Sequence, residues 1–280
     1  MTPQTAVIDA HCHAGPGAGF SGPWDTDAPL DDYTRRARAC GIAHTVIWSA
    51  FHDDYAAANE RVAKITLADQ TRYSGVAFVH AERDRGRIAE MVRGVVLRYG
   101  FRGIKCHRHD ARITREVCEA ARKLRLPIVY DPMGEIEAVE LAASQYPDVS
   151  FIIPHLGSFA DDWKAQRAFL DVFERRANVF TDTSGVRRFD LIVEAVQRGG
   201  PAKILFGSDG PWLHPAVELA KITALCLPAW AFRLMTYENA RRLFRLRSCL
   251  HAAGGRCRCA TPGAARAPSA VRAAFAAPVP

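Results

Sequence analysis

Ala6-Val7-Ile8-Asp9-Ala10-His11-Cys12-His13 begins with an apolar run and passes straight into two histidines. A dinucleotide-binding sheet would want a Gly-rich phosphate loop after its first strand, and none stands here. Seven more apolar runs follow: Thr45 to Trp48, Gly75 to Val79, Phe101 to Lys105, Pro127 to Tyr130, Ser150 to Ile153, Asn178 to Thr181 and Lys203 to Phe206. Continuous runs of this length suit strands buried on both faces of a parallel sheet.

The stretches between them have helical period. Ile113 to Arg125 places Val117, Cys118, Ala121 and Leu124 on one side, and Asp84 to Tyr99 does the same with Ile88, Met91, Val92 and Val95. Leu30 to Cys40, Asp54 to Arg72, Glu135 to Gln145, Asp162 to Arg176, Phe189 to Arg198 and Pro215 to Leu225 read alike, and a last helix is expected from Thr236 to Arg247. Eight β-then-α units without a phosphate loop predict an α/β fold, a single-domain (β/α)8 TIM barrel over residues 1–247.

From Ser248 to Pro280 the chain is rich in Ala, Arg and Pro, which predicts a disordered tail. Cys257 and Cys259 with His251 lack a zinc spacing, so this tail reads as an unstructured terminus. It carries four arginines and no acid. Without them the formal charge of +7 falls to +3, so the basic balance does not read as a nucleic-acid surface. Three of the eight cysteines, Cys249, Cys257 and Cys259, lie in this tail; the other five are scattered without framework spacing, which suits reduced thiols in a cytosol. No leader pattern opens the chain, and nothing approaches the roughly 20 apolar residues of a membrane helix. The expectation is a cytoplasmic protein that binds neither membrane nor nucleic acid; the sequence leaves homo-oligomer formation open.

Barrel enzymes carry their chemistry at the C-terminal ends of the strands. Here the strand tips read His11-Cys12-His13, Lys105-Cys106-His107-Arg108-His109, Asp131, His155, Asp182 and Asp209. Two residues apart on a strand, His11 and His13 point to one face and can hold a cation between them, zinc being the commonest fit. Asp209 can bind that metal and accept a proton from water whose pKa the metal lowers towards about 7; it can equally cap a helix. His155 can polarise a carbonyl or pass a proton, or be a satisfied core histidine. The cations Lys105 and Arg108 with His107, and Arg187 and Arg188 further on, suit an anionic substrate, or else face solvent. Trp24, Trp48 and Trp212 can wall an apolar pocket or serve packing.

Val7 to His13, Phe101 to His107, Pro154-His155-Leu156-Gly157, Asp182-Thr183-Ser184-Gly185, Phe206-Gly207-Ser208-Asp209 and Glu238 to Phe244 together resemble the amidohydrolase superfamily. Within it they resemble the branch that holds carboxymuconate-semialdehyde decarboxylases and dicarboxylate lactonases. The resemblance implies that His11, His13 and Asp209 bind one divalent metal, zinc by expectation, with His155 catalytic or beside the metal. It also implies a departure, because the family's strand-five histidine ligand is Asp131 here. An aspartate can ligate through oxygen; a metal-free site, or His107 in the vacant corner, are the other readings, and a carbamylated Lys105 would make the site binuclear.

The expected activity is hydrolysis of an amide, ester or lactone bond in a small carboxylate-bearing substrate by metal-activated water. Asp209 takes the proton, His155 steadies the oxyanion, and Lys105, His107 and Arg108 bind the substrate. Non-oxidative decarboxylation of a small aromatic or unsaturated acid on the same site is the alternative, and a barrel that only binds a ligand is the non-enzymatic one.

Overall fold

The computed structural model describes residues 6–19 and 27–246. Trp24 and the expected tail lie outside them. Nine strand segments alternate with helices: β1 (Val7–Ala14), α1 (Leu30–Ala39), β2 (Ile42–Ser49), α2 (Tyr55–Ala68), β3 (Tyr73–Gly75), β4 (Ala77–Phe78), α3 (Ile88–Tyr99), β5 (Ile104–His107), α4 (Arg115–Leu124), β6 (Ile128–Asp131), α5 (Ile136–Gln145), β7 (Phe151–Ile153), α6 (Trp163–Arg175), β8 (Val179–Asp182), α7 (Phe189–Gly199), β9 (Ile204–Leu205) and α8 (Pro215–Ala224). All pairings between them are parallel, in the orders β1-β2-β3 and β4-β5-β6-β7-β8-β9.

The third expected strand is two segments because it changes partner at Val76. Val76 N donates to Ile47 O of β2, while Ala77 N donates to Gly103 O before β5. The ring closes on the other side through Ala10 N to Phe206 O (2.9 Å), Asp209 N to His11 O (2.8 Å) and His13 N to Gly210 O (2.6 Å). The fold is therefore a (β/α)8 barrel, as the alternation predicts.

Two layers of apolar side chains follow from the pleat. Ile8, Ala10, Val46, Trp48, Val76, Phe78, Val129, Ile152, Phe180 and Leu205 fill the barrel, while Ile47, Ile104, Cys106 and Ile153 face the helices. Lys105 is the exception in its row: it pairs in register with Phe78 and Val129, so its stem lies among apolar interior residues and its ammonium rises towards the mouth. The floor is sealed by Tyr237, Ala240, Leu243, Phe244 and Leu246. Asn239 holds that segment in place, donating to Pro201 O (2.8 Å) and Ile204 O (2.7 Å). Helical structure there begins at Ala229, after Pro228, and runs through α9 (Ala229–Arg233) and a π turn to α10 (Asn239–Leu243), well before the expected start at Thr236.

A second boundary moved for a tertiary reason. The helix expected from Asp84 starts at Ile88, where the Glu116 carboxylate of the next unit accepts from Gly86 N and Ile88 N. No helix among the described residues is long and apolar enough to cross a membrane.

β1 contains the irregularity that matters most. Asp9 is opposite Thr45 and Cys12 opposite Ile47, so β1 spends three steps where β2 spends two. This bulge switches the inward parity from Ile8 and Ala10 to His11 and His13. Asp9 consequently points out of the barrel, fully buried, and accepts from His11 N (3.1 Å), Ser208 N (2.9 Å) and Tyr33 OH (2.7 Å). Burial pushes its carboxyl up to about 6, against the pull of those donors. Tyr33→Phe removes one of them and should destabilise the protein by about 1.5–3 kcal/mol at pH 8. Urea unfolding checks this; an unchanged midpoint would show that the bond contributes nothing.

Candidate active site

Three imidazoles meet at the mouth of the barrel. The backbone amide of His155 belongs to a tight turn, Pro154–Gly157, in which His155 and Leu156 both take left-handed conformations (φ 59° and 53°); Asp209 does so too (φ 55°). Such conformations cluster where surrounding structure over-determines a side chain's position.

Each of the three rings has its Nδ1 committed to an acceptor. His11 Nδ1 donates to Asp182 Oδ2 at 2.9 Å, His13 Nδ1 to Ser49 O at 3.1 Å and His155 Nδ1 to Ser184 O at 2.7 Å. A carbonyl can only accept, so in the neutral rings of His13 and His155 the proton sits on Nδ1 and Nε2 is bare. The outer edges of the rings converge. Asp209 Oδ1 lies 3.2 Å from His11 Nε2 and 3.5 Å from His13 Nε2, and ligand atoms of His11, His155 and Asp209 all fall within 4.8 Å of one another. Tetrahedral zinc with bonds of about 2.0–2.1 Å sets neighbouring ligand atoms roughly 3.3 Å apart. The observed separations fit that requirement, and the Asp182–His11 contact is the outer-sphere partner such histidines need.

Electrostatics points the same way. Burial opposes a charge on His11, but Asp182 and Asp209 outweigh it and lift its pKa to about 9. Two carboxylates bracketing one ring favour positive charge at that point, whether proton or metal ion. Burial dominates at His13 and takes it down to about 4. Burial alone would raise Asp182 and Asp209; the histidines reverse this and hold both below the ordinary carboxylate range.

Asp131 stands on the far side of His155. Its Oδ2 lies 3.1 Å from His107 Nε2 and 3.5 Å from His155 Nε2, and its Oδ1 accepts from Met133 N at 2.9 Å. His107 has the opposite tautomer from the other three, because its Nδ1 accepts from His109 N at 3.0 Å. Its neutral ring therefore presents a donor, which Asp131 takes. Of the expected ligands, then, His11, His13 and Asp209 come together directly, while Asp131 reaches them across His155.

Lys105 is 1% exposed, its Nζ 5.1 Å from the Trp48 ring centroid. Burial lowers its pKa, with Asp131, Asp182 and Asp209 opposing. The other cations are occupied: Arg108 Nε lies 2.7 Å from Glu135, and the exposed Arg187 and Arg188 pair with Asp161 and Asp190. Trp48 packs on His11 and His13, Trp212 on His13, and Phe159 meets His155 edge-on. Asp182 and Ser184 are buried members of this cluster with no place in the expected roles. Asp182 stands out in the sequence as a strand tip and Ser184 as part of the run Asp182-Thr183-Ser184-Gly185, but nothing local says what either side chain does.

A (β/α)8 barrel with this constellation at its C-terminal mouth defines a class of barrel enzymes with a metal-competent site. The chain belongs to the amidohydrolase family: the model described as amidohydrolase matches residues 8–246. No curated protein matches it. Among solved structures, a 2,6-dihydroxybenzoate decarboxylase from Rhizobium is similar at 16% identity and TM-score 0.68, covering 87% of this chain and 99% of the other. A dihydroxybenzoic acid decarboxylase from a Polaromonas species, with bound manganese and the inhibitor 2-nitroresorcinol, is similar at 17% identity and TM-score 0.68, covering 87% and 98%. A Pseudomonas putida structure named for 2-pyrone-4,6-dicarboxylic acid hydrolase shares 20% identity at TM-score 0.68, again covering 87% and 98%. At such identities the likeness speaks for the fold.

The bracketing of His11 sets a sign. Its folded-state pKa, about 9, exceeds the ordinary 6.5. The stability it contributes is complete below pH 6.5 and is lost as pH rises through 9. In EDTA-treated protein the urea midpoint should therefore fall across that window. Asp182→Asn should lower the His11 pKa, read by NMR titration, and flatten the decline. An unmoved pKa would rule Asp182 out as its cause.

Proposed function

We propose that the protein is a metal-dependent hydrolase that opens an amide, ester or lactone bond in a small carboxylate-bearing substrate. The convergence of imidazole edges on Asp209 Oδ1 supports this reading above all else. His11, His13 and Asp209 would hold the cation, and His155, whose bare Nε2 cannot donate to an oxyanion while the ring is neutral, would complete the donor set. When bound, a divalent ion, zinc by its preference for imidazole, supplies Lewis acidity and makes water nucleophilic near neutral pH.

The chain's own groups do the rest. Asp209, held ionised by its histidine neighbours, accepts the proton that the attacking water releases. Lys105 draws the substrate's carboxylate to the barrel axis. Trp212 and Phe159 stand on two sides of the histidines and exclude water around the reacting bond. His107 holds Asp131 as a carboxylate behind His155.

A second reading has its own observation. A buried ammonium so close to the metal-competent cluster can equally hold a carboxylate that departs as CO2. The decarboxylase structures similar to this chain agree with that chemistry. Dihydroxybenzoates and 2-pyrone-4,6-dicarboxylate, assayed side by side for CO2 release and for ring opening, separate the two.

Elemental analysis of protein purified without added metal should find about one equivalent of divalent ion. Asp131→Ala should keep it, since Asp131 faces His107 and His155; loss of the metal would instead make Asp131 a ligand. Asp209→Asn should abolish turnover while leaving circular dichroism unchanged, and a fully active variant would overturn the role given to Asp209.

A further inference from the structure

The loop after β8 carries Ser184, and the next unit grips that loop from outside. Glu218 and Lys221 lie one turn apart on α8, paired at 2.5 Å. Glu218 Oε2 accepts from Gly185 N at 3.0 Å. Lys221 Nζ donates to Thr183 O at 3.1 Å and to Val186 O at 3.0 Å. Three main-chain groups within four residues are thus fixed by one ion pair, itself mostly buried. Gly185 is required in the middle: its φ is +63°, and a Cβ there would stand 2.4 Å from the Phe159 ring.

Ser184, fully buried, is what this grip aims. Its hydroxyl donates to Asp182 Oδ1 at 2.5 Å, and the same oxygen lies 3.2 Å from His11 Nδ1 and 3.0 Å from His155 Nδ1. Its carbonyl is the acceptor that keeps the His155 proton on Nδ1. One residue therefore touches the inner edges of two imidazoles that arrive from different strands.

We infer that Glu218 and Lys221 are positioning residues, which act through the loop at Thr183 to Val186 and through Ser184 to keep the Nε2 edge of His155 bare and to hold the Nε2 edges of His11 and His155 facing the metal-competent centre. The inference rests on the reading of those histidines as members of that centre. It also assigns α8 a double task, since the unit that delivers Asp209 then sets the tautomers of its partners. Loss of outer-sphere partners of this kind costs about tenfold to a hundredfold in metal affinity.

The test compares Lys221→Met, Lys221→Arg and Ser184→Ala with Lys203→Met. Lys203 also donates to two main-chain carbonyls, of Phe173 and Arg176, but away from the site, so it reports what a merely structural lysine does. Long-range proton–nitrogen NMR spectra of EDTA-treated protein read the tautomers directly, and Zn2+ titration against a chromophoric chelator reads affinity. Lys221→Met should turn the single Nδ1–H form of His155 into a mixture and weaken Zn2+ binding about tenfold or more; Ser184→Ala, which keeps the carbonyl and removes the hydroxyl, should weaken Zn2+ binding while leaving the His155 tautomer as it is. Lys221→Arg should restore part of both, and Lys203→Met should lower the melting temperature alone. Wild-type tautomers and affinity in Lys221→Met, or equal changes in Lys203→Met, would overturn the inference. If the wild-type chain binds no Zn2+ or Mn2+, the hydrolase reading falls, while the tautomer spectra still decide the role of the clamp.

Discussion

One imidazole between two carboxylates governs this site. Asp182 accepts a hydrogen bond from His11 Nδ1, and Asp209 stands at its Nε2. Neither aspartate could be buried at the barrel mouth as an unpaired charge. Together they draw positive charge to the point where His13 and His155 also present nitrogen. A cluster of this kind is a liability for folding stability and an asset for binding a cation, because the interior that makes the isolated charges costly also strengthens their attraction to a metal.

The barrel is arranged to bear that liability. Its lower rows are apolar throughout except for Lys105, and its floor is closed by the segment that ends at Leu246. The charged groups are confined to the top, where β1 carries a bulge. Without the extra residue between Asp9 and Cys12, either Asp9 or the two histidines would point the wrong way. With it, Asp9 anchors α1 and the loop after β9 from outside while His11 and His13 enter the mouth. The positions of Asp209 and His13 follow from the same seam, since Asp209 N and His13 N both make closing hydrogen bonds there.

Much of this was legible in the chain. Continuous apolar runs and a period of 3.6 residues place the strands and most of the helices to within a few positions, because burial on both faces and on one face leave different spacings. His11, His13, Lys105, His155 and Asp209 stand at strand tips, and a barrel brings all tips to one end. What was not legible depends on contacts distant in sequence. The start of α3 is set by Glu116, and the division of the third strand by the partner exchange at Val76. Arg108, Arg187 and Arg188 looked like substrate anchors, yet their carboxylate partners in the fold engage them at the rim or surface.

The sequence by itself determined the barrel, the end at which its chemistry lies, and which ionisable residues gather there, for each is a matter of local spacing and alternation. Only the tertiary structure decided what those residues present to one another. A histidine's spelling is the same whichever nitrogen holds the proton; the choice belongs to the acceptor opposite, Asp182 for His11, Ser49 for His13 and Ser184 for His155. The direction of Asp131, towards His107 and His155 rather than Asp209, was decided in the same way. Hydrogen-bond partners from other strands are fixed by how the sheet closes, and no pattern within a single segment records them.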